Sequence, residues 1–397
     1  MKRVLGFLVV ILLLAAGGAA LYASSWWNQA KLPVGGDQPV RVTVAKGATL
    51  TEVAADLEKR KIIRSATAFG YLARGKAAIQ PGVYDLKPSE TPQQILEHLV
   101  KGDIVRVKVT FPEGWTLRQM AARLEKNGLV KADSFLNLVT KQGNTLKASF
   151  SPPENLEGYL FPDTYQFPLG ESEREIAQRM LGNFDAQMAK REEARKKSGR
   201  SLRDIVIIAA MIEREARVAQ DRPRIAGVIY NRLAQRMPLQ IDATVLYAHL
   251  QAGGQHKERL LFRDLEINSP YNTYKVVGLP AGPICNPGIA SIDAALAPEK
   301  SDYLYYVAKP DGSHAFARTL AEHNRNIAAV RNGVAPPPLP PSIAPPGAAA
   351  ATLAPQQQPR APRRRRTFRR RSPQAPRRAA APAPARAAAA TAAPGNR

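Results

Sequence analysis

Residues 4 to 23, VLGFLVVILLLAAGGAALYA, run for twenty positions without a charge. At ~1.5 Å per residue a helix of that length covers about 30 Å, the hydrocarbon thickness of a bilayer. Lys2 and Arg3 precede the run, and Trp26 and Trp27 follow it where interfacial aromatics belong. Residues 1–27 therefore read as a short cytoplasmic stub and a single-pass transmembrane anchor, with the bulk of the chain outside the cytoplasm. A cleavable export signal is the competing reading, since Gly18 and Ala20 are small enough for a cleavage site. The run is longer than a usual signal core, which favours the anchor, and both readings place the protein outside the cytosol.

That placement narrows what the charge can mean. Half of the net charge of +24 lies in residues 335–397, which carry twelve Arg and no Asp or Glu. This Pro/Ala/Arg-rich tail has too few large apolar residues to bury a core and reads as disordered. Arg runs commonly contact nucleic acid, but an exported chain points to anionic lipid or wall polymer instead, or to a solvated extension. The single cysteine, Cys285, excludes an intramolecular disulfide, and no metal-ligand spacing occurs among five histidines. No metal or cofactor is implied.

Between anchor and tail the chain reads as α+β. VRVTVAKGATLTEVAADLEKRKII at 40–63 and VRVKVTFPEGWTLRQMAARLEKNGLV at 105–130 share an alternating strand, a Gly-containing turn and an amphipathic helix. Thr49 with Glu52, and Thr116 with Gln119, have the spacing of capping boxes. Leu50, Val53, Ala54 and Leu57 share one helical face, as do Leu117, Met120, Ala121 and Leu124. The first unit, with KGATLTEVA, resembles the LysM pattern of glycan-binding modules, and residues 40–104 are expected to form a LysM-like subdomain. Structural duplication without sugar binding reads equally well. Further helices are predicted at 92–101, 133–142, 171–198, 203–218 and 221–236, and strands in VYDL, YLYYVAKP and SHAFART.

The stretch IIAAMIEREA at 207–216 puts two carboxylates at the end of a core-like run. Residues 205–212 are apolar all the way round, as in a helix surrounded by protein. Glu213 and Glu215 lie two residues apart, about 200° around the helix, so only one can face a given cleft. Glu213 has Ala209, Ala210 and Ala216 beside it, small side chains that leave room for a ligand. That favours Glu213 as a general acid, against an i,i+4 ion pair with Arg217.

Four long motifs decide the reading. AAMIEREARVAQDRPRIAGVIYNRLAQRMPLQIDATVLYA at 209–248, SPYNTYKVVGLPAGPICNPG at 269–288, LEGYLFPDTY at 156–165 and YLYYVAKPDGSHAFARTLAEHN at 303–324 together resemble the YceG-like endolytic murein transglycosylases. The resemblance covers the chain from the anchor to about residue 330 and leaves out the tail. It implies a YceG-like catalytic domain over 105–334 in an inner-membrane, periplasm-facing enzyme that cuts nascent peptidoglycan strands. It also implies the glutamate at Glu213 as catalytic acid then base, and cell-wall synthases and division machinery as partners. A lytic transglycosylase needs one proton donor and no nucleophilic carboxylate, unlike most glycoside hydrolases. Asp242 is the alternative second carboxylate, though it also reads as the N-cap of the helix beginning ATVLYA. Asn231, Gln240, Tyr271, Asn272 and Tyr274 are candidate substrate-binding residues, offering ring faces and amides to sugars. His314 and His323 are expected to be structural or to hydrogen-bond in the cleft. A wall-binding scaffold with an unreactive Glu213 is the rival from outside the enzymes.

Overall fold

The computed structural model describes residues 2–254 and 260–337. The tail expected to be disordered lies outside the described residues from 338 onward. Helix α1 (Lys2–Ala30) is continuous through the apolar run and is the one described helix long and apolar enough to cross a membrane. Its large side chains from Leu5 to Leu14 are exposed.

The next elements are β1 (Val40–Val44), α2 (Leu50–Lys59), α3 (Ala66–Leu72), β2 (Gly82–Leu86) and α4 (Pro92–Lys101). β1 and β2 pair antiparallel, with Val42 opposite Tyr84. Alternation turns Val42 and Val44 inward onto Leu57, Phe69, Ile95 and Leu99, which form one closed apolar cluster. Two of the expectations for residues 40–63 hold: the Thr49/Glu52 capping box forms, and Val53, Ala54 and Leu57 are buried. Helix α3, which the sequence pattern did not announce, is capped by Ser65.

A second, larger cluster gathers the rest. The elements of this part are β3 (Arg106–Thr110), α5 (Leu117–Lys126), α6 (Ala132–Lys141), β4 (Thr164–Pro168), α7 (Glu173–Ala189), α8 (Glu192–Ser198), α9 (Leu202–Glu215), α10 (Arg222–Ala234), α11 (Asp242–Gln251), α12 (Ile289–Leu296), β5 (Tyr305–Ala308), β6 (His314–Ala317) and α13 (Leu320–Arg331), and all but α8 and α13 contribute to the cluster. β3 pairs with β4 and β5 with β6, both antiparallel, so the described sheets are three separate two-stranded ladders. The single helix expected over 171–198 is two, broken at Lys190–Arg191, and α8 buries nothing.

Helix α9 is the central element. Ser201 caps it by accepting from the Asp204 N–H, and every residue from Ile205 to Ile212 is buried. It packs on α12, α10 and α11. Beside it, Asn286 joins three segments: its amide donates to Trp115 O (3.0 Å) and Glu157 Oε1 (3.0 Å) and accepts from the N–H groups of Gly158 (2.9 Å) and Leu160 (3.1 Å). Glu157 is buried and also accepts from Leu117 N–H at 3.0 Å, with Tyr247 Oη 3.1 Å away. With no cation in this set, burial pushes its carboxyl up to about 8 against the lowering effect of those hydrogen bonds.

Candidate active site

The helix α9 ends at Glu215 because Ala216 turns to extended backbone (φ −76°, ψ 122°). Arg217 therefore lies beyond the helix and is exposed, so the i,i+4 geometry that would pair it with Glu213 does not exist. The two glutamates leave the last turn in different directions.

Glu213 points to the start of α12. Its Oε2 accepts from Gly288 N–H (3.1 Å) and Ser291 Oγ (2.7 Å), and Arg222 Nη2 lies 3.8 Å from Oε1. Arg222 Nε also donates to Ser291 Oγ at 3.2 Å. A carboxylate at a helix N-terminus satisfies amide groups that lack an intrahelical partner. Glu113 approaches the same helix start, where burial and then the neighbouring Glu213 charge push its carboxyl above the ordinary range while Arg222 and the Ile289 amide oppose them. Gly288 makes that approach possible: a Cβ there would lie 1.9 Å from Glu113 Oε1. With its side chain 8% exposed and its oxygens engaged, Glu213 clamps α12 to α9. The room expected beside it is taken by Gly114 and by the α12 terminus.

Glu215 faces a cavity of about 400 Å³. Gln240, Asp242, Tyr274, Arg232 and Tyr306 converge on the same space. Tyr306 Oη donates to Glu215 Oε2 at 3.1 Å. Burial raises the Glu215 carboxyl to about 7; Tyr306 and the Ala243 amide lower it, and the nearby Asp242 charge raises it further. Such a group carries its proton at neutral pH about as often as not, which suits proton transfer in both directions.

The wall opposite is fixed by short polar contacts. Asp242 Oδ1 accepts from Tyr274 Oη at 2.5 Å. Asp242 is the first residue of α11 and makes no capping bond, so the expected N-cap role is replaced by this contact; the preceding residue, Ile241, occupies the cap position. Gln240 sits at φ 53°, a left-handed conformation that costs a non-glycine residue about 1–3 kcal/mol. It is held there by its N–H to Thr273 O (3.1 Å), while Ile241 N–H bonds Thr273 Oγ1 (2.9 Å). Arg232 donates to Leu304 O (2.6 Å) and Leu239 O (2.9 Å), tying the β5 side of the cavity to the Gln240 side. His314, which also lines the space, is oriented by Asp221 Oδ2 2.9 Å from Nδ1 and packs edge-on against Tyr306. His323 lines it too, with Nδ1 buried and unpaired, its ring stacked on Tyr305 and its pKa lowered by burial and by Arg232.

The expected site residues thus divide. Gln240, Asp242 and Tyr274 reach the cavity. Asn231 instead donates to Ser301 O (2.8 Å) and Tyr303 O (2.9 Å), fixing the chain that leads into β5. Asn272 is fully buried and holds its own loop through Leu265 O and Ile267 O. Tyr271 packs edge-on against Tyr247, with ring centroids 4.9 Å apart, outside the cavity lining. Tyr306 and Arg232 were not singled out from the sequence. The YLYYVAKP motif contained the first, but alternation alone does not say which of its tyrosines turns inward.

Comparisons with known proteins agree with this architecture. The model of the YceG-like family matches residues 42–329. A Bacillus subtilis protein named endolytic murein transglycosylase is 38% identical over 305 residues, covering 72% of this chain and 83% of its own. A Streptococcus pneumoniae protein of the same name is 31% identical over 328 residues, covering 75% of this chain and 60% of its own. The crystal structure of a putative YceG-like protein from Listeria monocytogenes superposes with a TM-score of 0.50 at 36% identity, over 73% of this chain and 99% of that one. With the family model spanning well over half of its length, the chain belongs to the YceG-like family.

Proposed function

We propose that the chain is an endolytic transglycosylase of peptidoglycan, anchored in the inner membrane by α1, and that Glu215 rather than Glu213 is its acid. The observation that carries the assignment is the Glu215 carboxyl, raised to about 7 and facing the 400 Å³ cavity, while Glu213 is spent on the α12 terminus. The names of the relatives support the reaction class.

The chemistry follows from one carboxyl group. Protonated Glu215 gives its proton to the glycosidic oxygen between N-acetylmuramic acid and N-acetylglucosamine, and the C1–O bond breaks. Charge building at C1 is stabilised by the sugar's own acetamido oxygen. The resulting carboxylate then takes the proton of the C6 hydroxyl as its oxygen closes on C1. The products are a 1,6-anhydro end and a free hydroxyl, with no water consumed and the acid restored. Tyr306 steadies the carboxylate between the two transfers, and Asp242, Tyr274 and Gln240 offer the polar contacts that orient the sugar. The first strand–helix unit is the part suited to hold glycan, and wall synthases and division proteins are the partners this activity calls for.

The test uses the full chain in detergent with purified peptidoglycan, and mass spectrometry of the products. Anhydro ends from the unaltered protein and from Glu213→Gln, with a loss of about 10²–10⁴-fold in Glu215→Gln, are expected for a general acid at Glu215. The opposite ranking of the two variants returns the role to Glu213. Ordinary reducing ends would make the enzyme a hydrolase and give Asp242 a part in activating water. No cleavage at all leaves a wall-binding scaffold.

A further inference from the structure

A second cavity, of about 430 Å³, lies where the small unit meets the end of α1. We propose that it binds the phosphate of an anionic phospholipid headgroup and so holds the small unit against the membrane surface. The inference rests on the reading of α1 as a membrane span.

Depth is the first argument. The uncharged run ends at residue 23, and Trp27 follows four residues later, about 6 Å along the helix. That distance matches a headgroup layer, since the headgroups add roughly 10–15 Å in total to about 30 Å of hydrocarbon. Trp27 lines the cavity, packs edge-on against Tyr71 with centroids 6.3 Å apart, and is followed by Ala30, which is buried. The helix end and the cavity therefore share one level.

Chemistry is the second. Lys76 and Lys101 line the opening, and neither makes an ion pair among the described residues. Two cations, Lys76 and Lys101, thus line a space whose lining contains one carboxylate, Glu97, and two more, Lys31 and Arg74, lie over the Trp27 and Tyr71 rings that form part of its wall. Leu72 and Leu96 supply an apolar floor for the glycerol and the first acyl carbons. A phosphodiester with an apolar stem fits this combination; a zwitterionic headgroup brings its own cation against the lysines and fits it less well.

The full chain, labelled with 5-fluorotryptophan and held in detergent, is titrated with dihexanoyl phosphatidylglycerol, dihexanoyl phosphatidylcholine and inorganic phosphate. The Trp27 resonance, assigned by Trp27→Phe, is followed by fluorine NMR. Saturable shifts with phosphatidylglycerol are expected, with at least ten-fold weaker affinity for the other two ligands and for Lys76→Gln/Lys101→Gln. Equal affinity for the two lipids, phosphate binding as tightly as phosphatidylglycerol, or an unaltered affinity in the double variant overturns the proposal. Release of the protein from membranes by alkaline carbonate would overturn the span beneath it, while peptidoglycan cleavage would be unaffected by either result.

Discussion

Two glutamates two residues apart meet opposite fates because a helix turns about 200° between them. That divergence was legible in the sequence; the side on which the cavity lies was not. It depends on α12 and β5, which begin 74 and 90 residues after α9 ends, and a helix periodicity says nothing of what packs on each face. Small neighbours at Ala209 and Ala210 signalled close approach, and the partner that approaches is protein. With Glu215 at about 7, cleavage that needs the protonated acid is expected to fall as pH rises through neutrality, measured as initial rates between pH 5 and 9. Tyr306→Phe removes a donor that favours the ionised form. The Glu215 titration then moves upward, so the alkaline limb of the rate profile shifts to higher pH while the fold is retained.

Elements were recovered where their signals were local. The capping boxes of α2 and α5 form as spaced, because Thr and its partner three residues on need only each other. Strand β4 escaped notice although TYQFP alternates and buries Tyr165 and Phe167: five residues are a short signal, and its ladder depends on Arg106–Thr110, nearly sixty residues earlier. The clamp between α9 and α12 was equally hidden, since Gly288 N–H and Ser291 bond a residue from far upstream. Glu213→Ala is expected to lower stability by about 1–2 kcal/mol, as loss of a charged N-terminal cap does, read as a lower unfolding midpoint in urea. The same variant leaves the position of the pH profile to Glu215. Gly288→Ala displaces the Glu113 carboxyl, the free end of a flexible side chain, and is expected to cost less than about 1 kcal/mol, below the range of core overpacking, by the same measurement.

At the scale of the whole molecule the buried Glu157 sets a pH dependence of stability. Its folded pKa of about 8 lies above the ordinary carboxyl value of 4.5, so the folded state keeps a proton that the unfolded chain releases. Its contribution is complete below about pH 4.5, declines by up to about 1.4 kcal/mol per pH unit above it, and is gone once pH passes about 8. Urea midpoints at pH 6 and pH 9 are expected to converge in Glu157→Gln relative to the unaltered chain. Asn286, which bonds this glutamate, also receives the N–H groups of Gly158 and Leu160, more than 120 residues earlier in sequence. A chain made from its amino end must therefore supply residue 286 before those amides can lose their water. Until then the two N–H groups have only solvent to bond, so closing this joint waits on a segment that is among the last of the folded part to be made.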